Sequence, residues 1–109
     1  MKIEKLDEFN AQIWIPEDDL ENPMNFKSTL DEFKNEESKT VLLDLTEKEW
    51  LSSSEIGVVM FMFKELDSAQ MKFCLIASSE FVLKTIKLTG VDQLLQVFGS
   101  RDEALSELS

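Results

Sequence analysis

The chain has 109 residues, 43% hydrophobic and 30% charged, which suits one soluble domain with one buried core and is not the composition of a disordered chain. Its 22 acidic and 11 basic side chains leave a formal charge of −11, a surface that repels phosphate backbones and anionic lipid, so direct nucleic-acid or membrane-surface binding is not expected and a partner with a basic or mixed docking face fits better. The single cysteine, Cys74, cannot close an internal disulfide, and the longest apolar run, Val58 to Phe63, falls far short of the ~20 residues that span a bilayer, so no membrane insertion and a cytoplasmic setting are the expectations.

Two short strand-like pieces, Ile3 to Leu6 and Gln12 to Ile15, flank Asp7-Glu8-Phe9-Asn10, which suits the turn of an antiparallel hairpin. After an acidic stretch, Asn22 before Pro23 marks a helix start, and Phe26, Leu30 and Phe33 then recur at helical spacing to about Asn35. Thr40 to Leu45 is nearly continuous apolar and β-branched sequence, the pattern of a central strand covered on both faces. Ser52 and Glu55 have the Ser-x-x-Glu spacing of a capping box, opening a helix with Ile56, Val59, Met60, Phe63 and Leu66 on its inward face. Met71 to Ala77 reads as a second buried strand, with Cys74 inside it as a small hydrophobe. Ser78 or Ser79 then caps a helix with Val82, Leu83 and Ile86 inward and Lys84 and Lys87 outward, ended by Gly90 in the left-handed conformation. Val91 to Leu95 is a turn or short helix, Val97-Phe98 a short edge strand, and Ser100 to Glu103 a second capping box opening a last helix with Ala104, Leu105 and Leu108 inward.

This order of two strands followed by alternating helices and strands predicts a single α/β domain over 1–109. Its core is a mixed, mostly parallel sheet of about five strands with about four helices packed on it. Binding positions in such sheets lie just beyond the carboxyl ends of the strands, which is where Ser52 to Glu55 falls. An enzyme is not expected. The chain has no histidine to serve as base, triad member or metal ligand, and Gly57, Gly90 and Gly99 are too few and too scattered to form a phosphate-cradling loop; no metal and no cofactor are predicted.

Four stretches together resemble the STAS domain family of anti-sigma factor antagonists: Val41-Leu42-Leu43-Asp44-Leu45, Ser52-Ser53-Ser54-Glu55-Ile56-Gly57, Leu88-Thr89-Gly90-Val91-Asp92-Gln93-Leu94, and Val97-Phe98-Gly99-Ser100-Arg101-Asp102-Glu103-Ala104-Leu105. The resemblance runs from about Val41 to Leu108. It implies partner switching, in which the unphosphorylated domain binds an anti-sigma factor with serine kinase activity and phosphorylation ends the binding. Matched position by position, the family's phosphorylated serine falls on Ser53, with Ser54 as second choice, and its later glycine on Gly57.

Ser52 stands where the family has aspartate, and Glu55 where it has its first glycine. Glu55 therefore admits two readings, a carboxylate that mimics the modified state or one that completes the box with Ser52, and the spacing favours the box. The two departures also support an alternative function, an accessory STAS module of a transport or signalling complex that is not phosphorylated. The partner-binding surface is expected at Trp50, Ser52, Ser53, Ser54 and Glu55 together with an apolar strip of Val58, Phe61 and Met62, which neighbouring helices or a second copy of the chain could also cover.

Overall fold

The computed structural model describes residues 2–6, 10–16, 31 and 39–108. Five strands form one sheet in the order β1-β2-β3-β4-β5, with β1 Lys2–Leu6, β2 Ala11–Ile15, β3 Thr40–Asp44, β4 Lys72–Ile76 and β5 Gln96–Phe98. The first pair is antiparallel, placing Ile3 opposite Trp14 and Leu6 opposite Ala11, and every later pair is parallel. Four helices are described: α1 Ser53–Ser68, α2 Glu80–Thr89, α3 Val91–Leu94 and α4 Arg101–Leu108. The predicted mixed sheet is observed, with β3 at its centre, and the described elements follow the predicted order. The expected hairpin turn at 7–9 and nearly all of the expected helix from Asn22 to Asn35 lie outside the described residues; Asn10, which closes the turn, has the positive φ of 52° that asparagine tolerates.

The period of two along each strand sorts the core into two layers. Trp14, Val41, Leu43, Leu45, Phe73, Leu75 and Ala77 point to the side covered by Val59, Met62 and Leu66 of α1 and Val82 and Ile86 of α2. Ile13, Ile15, Leu42, Cys74 and Ile76 point to the other side, with Phe98 and with Ala104 of α4. Cys74 is fully buried, and that burial raises its thiol pKa against a smaller opposing effect of Lys72, so it stays a neutral apolar group.

Helix α1 is rotated from its predicted phase. Its buried residues are Glu55, Val59, Met62 and Leu66, at i, i+4, i+7 and i+11, while Ile56, Met60 and Phe63 are only partly covered. The apolar residues on α1 are spread so widely that their pattern alone favours no single phase. Packing against the sheet selects the side that carries Val59, Met62 and Leu66, and Glu55 lies on that same side, where it meets Lys48 and the Ser52 amide.

The other terminators follow local chemistry. Gly90 takes φ 79° and its N–H donates to the carbonyls of Ile86 and Lys87, ending α2 as expected. Ser79 sits at the cap position of α2, but its hydroxyl makes no bond to the helix. Leu83, expected inward, is exposed, since Val82 and Ile86 already fill the side of α2 that meets the sheet. In α4 the Ser100 hydroxyl accepts from the Glu103 amide, but the Glu103 carboxylate reaches Gly99 instead of Ser100, one residue earlier than in a regular box. Ala104 is buried and Leu105 half-buried; the side chain of Leu108 lies outside the described set.

Candidate functional site

The segment from Asp44 to Gly57 leaves the carboxyl end of β3, crosses the rim of the sheet and enters α1, held by contacts along its whole length. At its start the Asp44 carboxylate accepts both the Thr46 amide, at 2.9 Å, and the Thr46 hydroxyl, at 2.6 Å, an aspartate turn that sets the direction of the chain as it leaves the strand. The Leu45 amide donates to Ile76 at 2.7 Å and the Lys48 amide to Leu45 at 3.0 Å. Leu51 is buried in the core. The hydroxyl of Ser79, unused in its own helix, donates to the carbonyl of Glu49 at 3.0 Å and ties this loop to the start of α2.

At the far end the capping box is complete. Ser52 has extended geometry (φ −80°, ψ 165°), its hydroxyl accepts from the Glu55 amide at 3.1 Å, and the Glu55 carboxylate accepts from the Ser52 amide at 3.1 Å. The other oxygen of that carboxylate pairs with the ammonium of Lys48; only 3% of the Glu55 side chain and 18% of the Lys48 side chain are exposed. The carboxylate that stands in place of glycine in the family pattern is therefore turned into the fold and neutralised there. It adds no charge to the surface around the serines.

That surface is formed by what remains exposed. Trp50 is 65% exposed in the middle of the loop, Ser53 and Ser54 occupy the first turn of α1 with their side chains outward, and Gly57 and Phe61 follow on the same side of the helix at four-residue intervals from Ser53, Phe61 being 41% exposed. Val58 is half-buried against the core. Met62, expected in this strip, is fully buried beneath α1 and belongs to the core, because the helix is rotated so that its Val59, Met62 and Leu66 side meets the sheet. A β-carbon added at Gly57 would meet nothing within 4 Å, and its φ is not in the left-handed region. Gly57→Ala is accordingly expected to stabilise the fold by about 0.5–1 kcal/mol through the greater helix propensity of alanine, read as a rise in the midpoint of urea unfolding.

Behind the loop lies a charged network that sequence reasoning passed over. Asp44 is 4% exposed on the α4 side of the sheet. Arg101, the first residue of α4, donates from Nε to Asp44 at 2.8 Å and from a terminal nitrogen to Glu4 of β1 at 2.9 Å. Burial works to raise the Asp44 pKa, but the bonds from Thr46 and the nearby Arg101 together outweigh it and hold the carboxyl below its ordinary value. The same bond to Asp44, assisted by Glu4, raises the Arg101 pKa. The signal for Asp44 was present in the sequence as the one charged residue within the buried run Val41 to Leu45, two residues before a threonine. No comparable signal marks Arg101 or Lys48. Among the described residues no group of carboxylates and thiol is arranged to hold a metal ion, and no helix is long and apolar enough to cross a membrane.

The STAS domain model matches residues 19–104, most of the chain and all of the loop and α1. The chain belongs to the STAS domain family. A Thermotoga neapolitana protein provisionally named an anti-sigma factor antagonist is 30% identical over 90 residues, 82% of this STAS domain and 80% of that protein. The crystal structure of a provisionally named anti-sigma factor antagonist from Thermotoga maritima superposes with a TM-score of 0.83 at 27% identity, covering 98% of this chain and 92% of that one. An anti-sigma factor antagonist from Mycobacterium paratuberculosis shares the fold, with a TM-score of 0.76 at 18% identity over 98% and 91% of the two chains.

Proposed function

We propose that this STAS domain is a cytoplasmic anti-sigma factor antagonist that acts by protein–protein binding and not by catalysis. Its partner is an anti-sigma factor with serine kinase activity, and the switch is phosphorylation of Ser53, with Ser54 as the second choice. The observation that carries the reading is the exposed serine pair at the start of α1, beside Trp50 and Phe61 and with the neighbouring Glu55 carboxylate neutralised inside the fold by Lys48. The names of the relatives supply the class of partner.

The physical logic is local. A phosphate on Ser53 adds about −1.5 to −2 charges at a helix N-terminus, where the macrodipole and unpaired amides accommodate an anion, so the domain keeps its fold. Against a formal charge of −11 the global change is small. The modification acts by placing charge and bulk between the docking surface and its partner. Had Glu55 pointed outward, the unmodified surface would already carry that charge; its burial against Lys48 leaves the unmodified state distinct.

The test is affinity capture from the source cell with wild-type, Ser53→Ala and Ser53→Asp proteins, with captured proteins and phosphorylation state read by mass spectrometry. Wild type and Ser53→Ala are expected to capture a kinase-type anti-sigma factor, and Ser53→Asp to bind it about tenfold or more weakly, the effect of about 1.4 kcal/mol of lost complementarity. Equal capture by wild type and Ser53→Asp would show that Ser53 is not the switch. Capture of a membrane transporter subunit by all three would favour the non-phosphorylated accessory module.

A further inference from the structure

The root of the loop between β3 and α1 is bonded, through Asp44, to a residue on the opposite side of the sheet. Asp44 and Leu42 share a strand face, and Leu42 packs in the layer closed by Ala104 of α4, whereas α1 and its serines sit on the other layer. The Asp44 carboxylate divides its two oxygens between these sides: Oδ1 takes the Thr46 amide and hydroxyl at the root of the loop, and Oδ2 takes Nε of Arg101. A guanidinium is a planar fork whose donors are fixed relative to one another. With a second donor held at 2.9 Å by Glu4 in β1, Arg101 cannot swing without breaking both side-chain bonds, so it restrains the rotamer of Asp44. In that rotamer Oδ1 receives both Thr46 bonds at the turn after β3.

Beyond Thr46 the loop is pinned at Glu49 by Ser79, at Leu51 by the core and at Lys48 by Glu55. Those contacts hold its middle and far end. At the root, the backbone bonds of Leu45 to Ile76 and of Lys48 to Leu45 act together with the aspartate turn, whose side chain alone links the root to α4, and Trp50 stands out to solvent between the root and the cap. We propose that Arg101, acting through Asp44 and Thr46, is a positioning residue for docking: it preorganises the Thr46-to-Ser52 loop so that Trp50 and Ser53 are presented together to the anti-sigma factor. This rests on the docking surface proposed above. Preorganisation of this kind raises affinity because the ordering of the loop is not left to the moment of binding.

The experiment reads the loop and the docking separately, with Arg101→Ala, Arg101→Lys and Thr46→Val proteins. Native-state amide exchange by NMR follows four hydrogen-bonded loop amides, Thr46, Lys48, Ser52 and Glu55, against Ala77 and Leu83 as controls elsewhere in the fold. Arg101→Ala is expected to speed exchange at Thr46 and Lys48 by about tenfold, with less at Ser52 and Glu55 and none at the controls, as for a local opening. Thr46→Val removes the hydroxyl bond to Asp44 but keeps the amide bond, weakening the chain of contacts at its other end, and is expected to speed the same amides by about threefold; Arg101→Lys, which keeps the charge but not the fork, is expected to lie between wild type and alanine.

The off-rate of the anti-sigma factor recovered with the wild-type protein is expected to rise in the same order. Unchanged loop amides in Arg101→Ala, or a uniform acceleration that includes the controls, would overturn the positioning role. A loosened loop with an unchanged off-rate would overturn its part in docking. If wild type recovers no anti-sigma factor, the functional reading fails on its own, and the amide pattern still decides whether Arg101 sets the loop.

Discussion

Lys48→Met is expected to destabilise the domain by about 2 kcal/mol, while the double variant Lys48→Met/Glu55→Gln lies within about 1 kcal/mol of wild type. Removing one partner of a buried ion pair leaves the other charge without its compensation, an effect of about 3–5 kcal/mol when both are fully enclosed. Lys48 keeps 18% of its side chain in solvent, which screens part of the interaction, and Glu55 retains its bond from the Ser52 amide, so the lower figure applies. Glutamine keeps an oxygen for that amide and needs no cation, which is why the second substitution restores what the first removes. Urea unfolding of the four proteins of the cycle at neutral pH measures each value and the coupling. A Lys48→Met protein within 0.5 kcal/mol of wild type would mean that the carboxylate turns to solvent at little cost, and the surface around Ser53 would then carry a negative charge before any phosphorylation.

The second large effect concerns Asp44. Its carboxyl titrates lower in the folded chain than the ordinary value of about 3.9, so the folded state binds fewer protons than the unfolded state across the interval between the two values. The stabilisation is therefore fully present above pH ~4–5 and is lost as pH falls through the folded value. In Asp44→Asn the asparagine has one acceptor oxygen: kept on Thr46, it turns its NH2 toward Arg101, whose guanidinium then loses this bond and keeps the one to Glu4.

The expected result is a loss of about 2 kcal/mol at pH 7, placed below the fully buried range because Arg101 is about one-third exposed. The difference between the variant and wild type shrinks as pH falls below the ordinary carboxylate value, where the unfolded chain takes up the proton before the folded one does. Unfolding midpoints between pH 3 and pH 7 measure it. Parallel curves for the two proteins would show that Asp44 contributes nothing through its charge.

The serines illustrate how far the linear pattern reaches. Ser52 and Glu55 are three residues apart, and a capping box is made by exchange between those two residues alone, so its spacing was enough to predict it and the structure shows both bonds. Gly90 likewise ends its helix by its own conformational freedom. Met62 was misplaced for the opposite reason. The apolar residues of α1 spread over most of its circumference, with Val58, Phe61 and Met62 alongside the predicted face, and which of them is core depends on how the helix is rotated against a sheet that assembles from distant segments.

The sequence by itself determined the element order, the central position of Thr40 to Asp44, the cap at Ser52 and the STAS resemblance, because each rests on neighbours within a few residues or on a hydrophobic period. Only the tertiary structure decided what surrounds the cap. Lys48 reaches Glu55 across the loop, Ser79 reaches Glu49 from thirty residues away, and Arg101 reaches Asp44 from 57 residues away and Glu4 from 97. Such pairs have no signature along the chain, since charge and hydrogen-bonding partners are matched by the folded geometry and not by spacing. It is those contacts that turn Glu55 inward and leave Ser53 exposed beside Trp50.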